Sequence, residues 1–330
     1  MSKALFFSLV HVSEKAAINA YELIGSGNKE EIDRVAVEAI RSGLNEQNAS
    51  FQIVAGEGEI DEAPMLYQGE VLGNEESEFS FSVAVDPIEG TTLSAKALPG
   101  AMTVMAITQK GNLINTPDMY MEKLMVGAKA KGAIDLNRSL KENIDRVADK
   151  LGKEPSDLKI LILDKPRHAS VIAGLRKRGI KVLSPSDGDV IGSLHLALDK
   201  GSIDLMYGIG GAPEGVISAA VLKALGGDMQ ARLLLRSEVK GQTPENEVIS
   251  KTEKERCEQK GILVNTILAL DDLVLEEEPI FIATGITNSE ILRGVTKGLD
   301  GKMKTDSLLI IGKDRSTHFI TSRYPVTIIN

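Results

Sequence analysis

The spacing of apolar and polar residues changes part-way along the chain. Early on, apolar side chains recur every three or four residues, which is typical of amphipathic helices, and short apolar runs then indicate strands. The elements predicted here are helices at 8–24, 29–47 and 140–151, strands at 51–55 and 79–85, and a β-hairpin at 101–114 that turns at Lys110-Gly111-Asn112. The first part therefore mixes helices and strands without regular alternation.

After the segment Gly152-Lys153-Glu154-Pro155-Ser156, strands and helices alternate. The predicted strands are 159–164, 180–183, 203–207, 281–283, 307–311 and 326–329, and the predicted helices are 168–177, 190–198, 216–225 and the charged, exposed segment 243–260. Strands separated by helices imply a sheet with helices packed on it. We expect an α/β protein of two domains, residues 1–155 and 156–330, divided at this segment.

Bulk composition narrows the function classes. The chain has 330 residues and a formal net charge of −9, so a basic surface for nucleic acid is not expected. No apolar run approaches the ~18 residues of a membrane span, and we expect neither a membrane partner nor a signal peptide. Cys257 is the single cysteine, which excludes an intrachain disulfide and thiolate metal sites. We interpret this cysteine as non-catalytic and expect a cytoplasmic protein.

Two acidic clusters follow predicted strands. Asp86-Pro87-Ile88-Glu89-Gly90-Thr91-Thr92 follows strand 79–85, and its glycine lets the backbone come close to a bulky anion. Gly56-Glu57-Gly58-Glu59-Ile60-Asp61-Glu62 follows strand 51–55. A solvated acidic loop would explain the second cluster alone. Beside the first cluster, it favours a site for hard cations that also hold a phosphate oxygen, because bound cations offset the repulsion among carboxylates.

Polar residues also follow the strands of the second half, at the edge where α/β sheets bind ligands. Lys165 and Arg167 could hold a phosphate. Asp187 and Asp189 could accept hydrogen bonds from sugar hydroxyls or cap the next helix. Glu214 could be a metal ligand, or simply a favourable carboxylate in the first turn of a helix.

Other catalytic and nucleotide-binding patterns find little support. The glycine-rich run Tyr207–Gly215 departs from the dinucleotide fingerprint, because Pro213 occupies the place of the third glycine. No nucleophile elbow supports Ser-His-Asp catalysis. Of the four histidines, His168 lies beside Arg167 and is interpreted as a substrate contact rather than a base, and the others are interpreted as structural.

Six sequence blocks, in order, resemble the bacterial class II fructose-1,6-bisphosphatases, which belong to the lithium-sensitive, metal-dependent sugar phosphatases. The blocks are Gly56–Pro64, Asp86–Thr91, Pro117–Lys123, Lys165–His168, Asp187–Asp189 and Tyr207–Gly215, and the resemblance runs from Asp33 to about Thr287. It implies a layered α-β-α-β-α sandwich with the site between the two halves. It also implies hydrolysis of the 1-phosphate of fructose 1,6-bisphosphate, a gluconeogenic reaction, with Mn²⁺ or Mg²⁺.

The resemblance also implies a role for individual residues. The metal ligands would be Asp33, Glu57, Asp86, Glu89 and Glu214. The phosphate that is cleaved would be held by Glu89, Gly90 and Thr91. The sugar and its 6-phosphate would be held by Tyr120, Lys165, Pro166, Arg167, Asp187, Gly188, Asp189 and Gly210. The family pattern around the first ligand is Asp-Gly-Ala-Ala, whereas this chain has Asp33-Arg34-Val35-Ala36. The bulky Arg34, in place of glycine, could therefore change the position of the Asp33 side chain.

On this assignment, a water activated by two or three divalent ions attacks the phosphorus in line, with Asp61 as base, Thr91 as its relay and Glu59 in support. No covalent phosphoenzyme is expected. The alternative substrates are sedoheptulose 1,7-bisphosphate and inositol or nucleotide monophosphates, and Lys165 with Arg167 favours a bisphosphate. A non-catalytic sugar-phosphate or metal sensor is the alternative from another class, and a merely structural acidic protein is the third. We further expect a homo-oligomer, a dimer or tetramer.

Overall fold

The structure is a computed structural model that describes residues 3–56, 66–275 and 277–325. The chain divides into two compact units: Met1–Leu113 together with Glu278–Asn330 form unit 1, and Ile114–Glu277 form unit 2. This division differs from the predicted one at residue 155. The reason is that residues 280–285 pair with residues 102–107, a long-range contact that local sequence patterns do not reveal.

Helices and strands occur throughout both units. The first segment contains α1 (Lys3–Tyr21), α2 (Lys29–Asn45), β1 (Ser50–Ala55), β2 (Val71–Gly73), β3 (Ser80–Glu89), α3 (Thr91–Ala95) and β4 (Met102–Gln109). Unit 2 contains β5 (Tyr120–Val126), α4 (Leu140–Leu151), β6 (Lys159–Leu161), α5 (Ala169–Lys177), β7 (Lys181–Leu183), α6 (Asp189–Ala197), β8 (Leu205–Gly211), α7 (Ala212–Leu225), β9 (Asp228–Leu234), α8 (Arg236–Lys240), α9 (Pro244–Gln259), β10 (Ile267–Ala269) and α10 (Leu270–Leu273). The returning segment adds β11 (Ile280–Gly285), β12 (Thr296–Lys297), β13 (Met303–Ile311) and β14 (Ser316–Tyr324) to unit 1.

Unit 1 is built on a mixed sheet. Over the described residues, its strands follow the order β12-β13-β11-β4-β3-β1-β2, with β14 also paired to β13. The strands β1 and β3 run parallel, whereas β4 is antiparallel to both of its neighbours, β3 and β11. The hairpin predicted at 101–114 is therefore wrong, because β4 is a central strand. Its side chains from Met102 to Ile107 are fully buried, as expected for that position.

The helix α2 is fixed at its start and packs on this sheet. The side chain of Asn28 accepts a hydrogen bond from the Glu31 amide at 3.1 Å, which caps the helix N-terminus. Its apolar face, with Ile32 and Ile40, joins the same buried core as Phe51 of β1. The helix also packs against β3 and α3. This packing sets the first turns of α2 beside the end of β3.

Unit 2 has its own mixed sheet, in the order β10-β9-β5-β8-β6-β7 over the described residues. The alternation of strands and helices predicted from residue 159 to 225 is confirmed. The strands β5 and β9, which are antiparallel to each other, were not predicted. In β5, adjacent charged residues, Glu122 and Lys123, interrupt the apolar pattern.

Each unit thus joins a mixed sheet to helices, which confirms the α/β class. The strand predicted at 326–329 lies outside the described residues. Within the described ranges, none of the helices has the length and apolar character needed to cross a bilayer.

Candidate active site

The first acidic cluster lies where β3 passes into α3. The register between β3 and β4 shifts between Asp86 and Glu89, and such a bulge bends the strand. One carboxylate oxygen of Asp86, Oδ1, accepts a hydrogen bond from the Ile88 amide at 2.9 Å, and Glu89 is buried. Gly90 follows with a φ of 83°, a left-handed conformation that favours glycine. The sequence motif therefore folds into one compact turn at the end of a central strand.

Asp33 of α2 joins this turn through Thr91. The Thr91 hydroxyl lies 3.2 Å from Asp33 Oδ1 and 3.1 Å from the Ile88 carbonyl oxygen, so it can donate to either. Burial raises the pKa of Asp33 to about 6, while the Thr91 hydrogen bond and the nearby Lys29 act in the opposite direction. A carboxylate in this setting gains from a bound cation, because desolvation makes its negative charge costly.

Arg34 does not crowd Asp33. The guanidinium of Arg34 donates to the carboxylates of Glu31, at 2.8 Å from Nε, and of Glu38, at 2.6 Å from Nη1. Successive residues of a helix point about 100° apart, so Arg34 and Asp33 face different directions. The arginine that replaces the glycine of the family pattern therefore leaves the contact between Asp33 and Thr91 intact.

The second acidic cluster has no described geometry. Glu57, Glu59 and Asp61 lie outside the described residues, and their roles stay predictions. Among the residues that are described, no group of three His, Cys, Asp or Glu side chains is arranged to hold a metal ion.

In unit 2, Asp189 forms a buried ion pair with Lys123. The ammonium of Lys123, on β5, contacts Asp189 Oδ2 and donates to the Gly211 carbonyl oxygen at 3.0 Å. Lys123 is fully buried, and Asp189, the first residue of α6, is nearly so. A Cβ atom at Gly210 would overlap Asp189 Oδ2 and lie 3.0 Å from Lys123 Nζ. The glycine-rich end of β8 therefore makes room for this ion pair.

Glu214 lies in the first turn of α7, close to the same ion pair. Its Oε2 atom is buried and has no hydrogen-bond partner within the described residues, and a Cβ atom at Gly211 would overlap it. Burial raises the pKa of Glu214, and the positive charge of Lys123 opposes that shift. A buried carboxylate oxygen without a partner is costly. The buried, unpartnered Oε2 atom supports a role for Glu214 as a metal ligand more strongly than its place in the first turn of α7 does.

Tyr120 lies close to two cationic side chains of unit 2. The guanidinium carbon of Arg167 is 5.5 Å from the centre of the Tyr120 ring, and the ammonium of Lys240 is 5.9 Å from it. Arg167 also donates from Nε to the Ile209 carbonyl oxygen at 2.7 Å. The two positive charges on one aromatic residue are suited to an anionic ligand.

The remaining predicted substrate residues lie at the neighbouring strand ends of unit 2. Lys165 Nζ is 3.7 Å from Asp187 Oδ1, a half-exposed ion pair. Pro166 is the first residue of a short 3₁₀ turn. Gly188 has a φ of 105° and caps α6, so that Asp189 follows as the first helical residue.

Comparison with known proteins identifies the family. The sequence profile described as bacterial fructose-1,6-bisphosphatase, glpX-encoded, matches residues 3–324. The chain belongs to this family. The class 2 fructose-1,6-bisphosphatase of Haemophilus influenzae is 47% identical to it, with 99% of each chain covered. Fructose-1,6-bisphosphatase 1 class 2 of Escherichia coli is 46% identical, with 98% of this chain and 95% of its own covered.

A third relative carries a double name. The D-fructose 1,6-bisphosphatase class 2/sedoheptulose 1,7-bisphosphatase of Synechococcus elongatus is 37% identical, covering 97% of this chain and 96% of its own. The resemblance to the class II family that the sequence blocks indicated is thus confirmed.

In this member of the family, His168 is placed where it cannot contact a substrate. It is buried, its Nδ1 atom is 2.8 Å from the Leu163 carbonyl oxygen, and its Nε2 atom accepts from the Ile209 amide at 2.9 Å. Burial lowers its pKa. The prediction of a substrate contact is therefore wrong. His168 instead holds Ile209, whose carbonyl oxygen binds Arg167.

Two lysines contact or adjoin the residues to which the family resemblance gives a role, and the sequence patterns assigned a role to neither lysine. Lys29, the first residue of α2, donates to the Thr92 hydroxyl at 2.7 Å. Lys123 lies between Met121 and Met125 on the buried side of β5, and both methionines are fully buried. A charge at a core-facing strand position signals a buried partner, because an unpaired charge there would be too costly. Lys29 carried no such signal.

Proposed function

We propose that this protein hydrolyses the 1-phosphate of fructose 1,6-bisphosphate, releasing phosphate and fructose 6-phosphate. The observation that carries the proposal is the 47% identity, over 99% of both chains, to the class 2 fructose-1,6-bisphosphatase of Haemophilus influenzae. The described residues support it in each unit separately. Unit 1 offers carboxylates and a hydroxyl at one strand end, and unit 2 offers cations and hydrogen-bond acceptors.

We infer that the reaction requires Mn²⁺ or Mg²⁺. Asp33, Glu57, Asp86 and Glu89 of unit 1 would hold such ions, and Glu214 is the ligand proposed in unit 2. The described members fit, because hard cations prefer carboxylate oxygens and because burial disfavours the charges of Asp33 and Glu214. Bound divalent ions would supply charge neutralisation at the phosphoryl oxygens and would lower the pKa of a bound water.

The side chains of unit 1 would orient the attacking water. We propose that the Thr91 hydroxyl takes a proton from this water while it passes its own proton to the Asp61 carboxylate, which is the base, and that Glu59 supports this pair. The Thr91 hydroxyl lies within hydrogen-bond distance of two acceptors, Asp33 Oδ1 and the Ile88 carbonyl, which fix its oxygen at the end of β3. A positioned base contributes about 10²- to 10⁴-fold in rate. Glu89, Gly90 and Thr91 would hold the phosphate that is cleaved.

The strand ends of unit 2 would hold the rest of the substrate. The proposed contacts to the sugar and its 6-phosphate are Tyr120, Lys165, Pro166, Arg167, Asp187, Gly188, Asp189 and Gly210. Arg167 and Lys165 are suited to the phosphate, since a guanidinium and an ammonium both bind phosphate oxygens. Asp187 and Asp189 are suited to hydroxyl groups, which donate to carboxylates.

The test is phosphate release from fructose 1,6-bisphosphate by protein stripped of divalent ions. We expect release to be restored by added Mn²⁺ or Mg²⁺, and the Asp61→Ala variant to be slower by about 100-fold or more with nearly unchanged substrate affinity. Full activity in chelator would contradict the metal requirement. Absence of turnover with either ion would contradict the proposed activity, and tight binding without turnover would favour a sensor.

A second candidate substrate is sedoheptulose 1,7-bisphosphate. The observation that favours it is the double name of the Synechococcus elongatus relative, which is 37% identical. A panel of the two bisphosphates with inositol and nucleotide monophosphates would separate the candidates by kcat/KM. We expect fructose 1,6-bisphosphate to lead and the monophosphates to rank last, because they lack the second phosphate for Lys165 and Arg167.

We further propose that the protein is a cytoplasmic homo-oligomer, a dimer or tetramer. Among the described strands, β14 pairs with β13 alone, and Arg323 is the one Lys, Arg, Asp or Glu in its nine residues. Edge strands with few charges tend to pair with another chain. Light scattering in solution would decide, and a monomer at all concentrations would contradict the proposal.

A further inference from the structure

We propose that Lys123 is a positioning residue for substrate, because it fixes the Asp189 carboxylate and the backbone at Gly210–Gly211. The inference rests on the proposed function, in which Asp189 and Gly210 contact the sugar. The sequence blocks that define the family resemblance include Lys123 but assign it no role.

The burial of Lys123 shows that its charge must be balanced locally. Its side chain is 1% exposed, and it is among the largest fully buried side chains of the described residues. An ammonium withdrawn from water is costly unless it is paired and hydrogen-bonded. Lys123 meets both conditions through Asp189 Oδ2 and the Gly211 carbonyl oxygen.

The surrounding chain is shaped around this lysine. In the sheet, Lys123 pairs with Gly208 of β8, and its ammonium reaches along that strand to Gly211. A Cβ atom at Gly210 would lie 3.0 Å from the ammonium, and a Cβ atom at Gly215 would lie 3.2 Å from Lys123 Cδ. Both distances are tighter than ordinary van der Waals contact. The end of β8 and the first turn of α7 therefore pack closely against one side chain.

The ion pair uses one oxygen of Asp189. Lys123 contacts Oδ2, so Oδ1 is the oxygen that this ion pair does not engage. A carboxylate held in one orientation can accept a sugar hydroxyl without first being ordered, which lowers the cost of binding. Removing Lys123 would free this carboxylate to rotate and would leave its charge buried without a partner.

A purely structural role is the competing explanation, and Lys223 of α7 provides the matched control. Its side chain is also largely buried, at 7% exposure, and it forms ion pairs with Asp271 at 2.6 Å and Glu277 at 2.8 Å. Neither partner belongs to the proposed substrate residues. Loss of Lys223 should therefore affect stability without affecting substrate binding.

The test compares Lys123→Met, Lys223→Met, Asp189→Asn and the double variant Lys123→Met/Asp189→Asn. We measure kcat and KM for fructose 1,6-bisphosphate, its dissociation constant without divalent ions, and the melting temperature. We expect Lys123→Met to raise KM and the dissociation constant by about 10-fold or more, with a smaller change in kcat, as for other residues that orient a ligand-binding group. Lys223→Met should leave KM within about twofold.

The double variant separates positioning from general damage. If Lys123 acts largely through Asp189, the double variant should raise KM by clearly less than the product of the two single effects, because coupled residues are not additive. Lys123→Gln, which keeps hydrogen-bond donors but not the charge, is the second variant if Lys123→Met does not fold, and it should show the same rise in KM.

Three results would overturn the inference. Unchanged KM in the variants at position 123, additive effects in the double variant, or unchanged KM in Asp189→Asn would each do so while the wild type remains active. If the wild type neither binds nor hydrolyses fructose 1,6-bisphosphate, the proposed function and this inference fail together. The wild-type measurement therefore distinguishes the two failures.

Discussion

Asp33 in unit 1 is a partly buried carboxylate and Asp189 in unit 2 is a buried one, and they are held in different ways. Asp33 accepts a hydrogen bond from the Thr91 hydroxyl at 3.2 Å, and burial raises its pKa to about 6. Asp189 contacts a fully buried ammonium, that of Lys123. A carboxylate whose partner is a neutral hydroxyl keeps a negative charge that a bound cation can balance. A carboxylate paired with a lysine has its charge balanced already and is suited to accept hydrogen bonds from neutral hydroxyls. The partner of each carboxylate, more than its burial, therefore indicates which ligand it suits.

The substitution Asp33→Asn tests the contrast between Asp33 and Asp189 most severely, and we expect it to have the largest effect on activity. Activity should fall by about 100-fold or more, because an amide is a poorer ligand for Mn²⁺ or Mg²⁺ than a carboxylate. The metal-free variant should be at least as stable as the wild type, because the buried charge is gone. Steady-state kinetics and thermal unfolding in chelator check the two parts. A variant with both lost activity and lost stability would indicate a structural role for Asp33.

On the other side of the comparison, Gly210→Ala should raise KM by about 10-fold. The added methyl group would overlap Asp189 Oδ2 and approach the Lys123 ammonium, so the ion pair must shift. Gly174→Ala in α5 is the matched control, because nothing lies within 4 Å of its added Cβ atom. Alanine there should stabilise the helix by about 0.5–1 kcal/mol and leave KM unchanged. Equal KM values for the two variants would show that the ion pair does not position substrate.

The raised pKa of Asp33 predicts a pH dependence in the metal-free protein. The folded-state pKa of about 6 lies above the ordinary value of 3.8, so the protonated carboxyl contributes stability that is fully present below pH 3.8. That contribution is lost as the pH rises through about 6. Urea unfolding across this range should show the wild type losing stability relative to Asp33→Asn. A difference that does not change with pH would contradict the shifted pKa.

Arg34→Ala should have the smallest effect. Because the Arg34 guanidinium binds Glu31 and Glu38 at the protein surface, its removal should leave kcat and KM within about twofold and change the melting temperature little, since exposed ion pairs contribute little to stability. Kinetics and thermal unfolding measure both quantities. A tenfold loss of activity would show that Arg34 shapes the geometry at Asp33 after all.

Local sequence patterns predicted much of the secondary structure and the position of the acids at the end of β3. They failed where pairing between distant strands decides the structure. The predicted hairpin at 101–114 and the predicted domain boundary at residue 155 are wrong because β4 pairs with β3 and with β11, which lies far along the chain. They also missed β5, because Glu122 and Lys123 interrupt the apolar pattern expected of a central strand. The contact between Asp33 and Thr91, 58 positions apart, likewise required the folded chain.

Titration of metal-free protein with Mn²⁺ compares the two carboxylates most directly. We expect Asp33→Asn to weaken Mn²⁺ binding by about 10-fold or more, whereas Asp189→Asn should leave it within about twofold. Equal losses in the two variants, or a greater loss in Asp189→Asn, would contradict the claim that their partners assign them different roles.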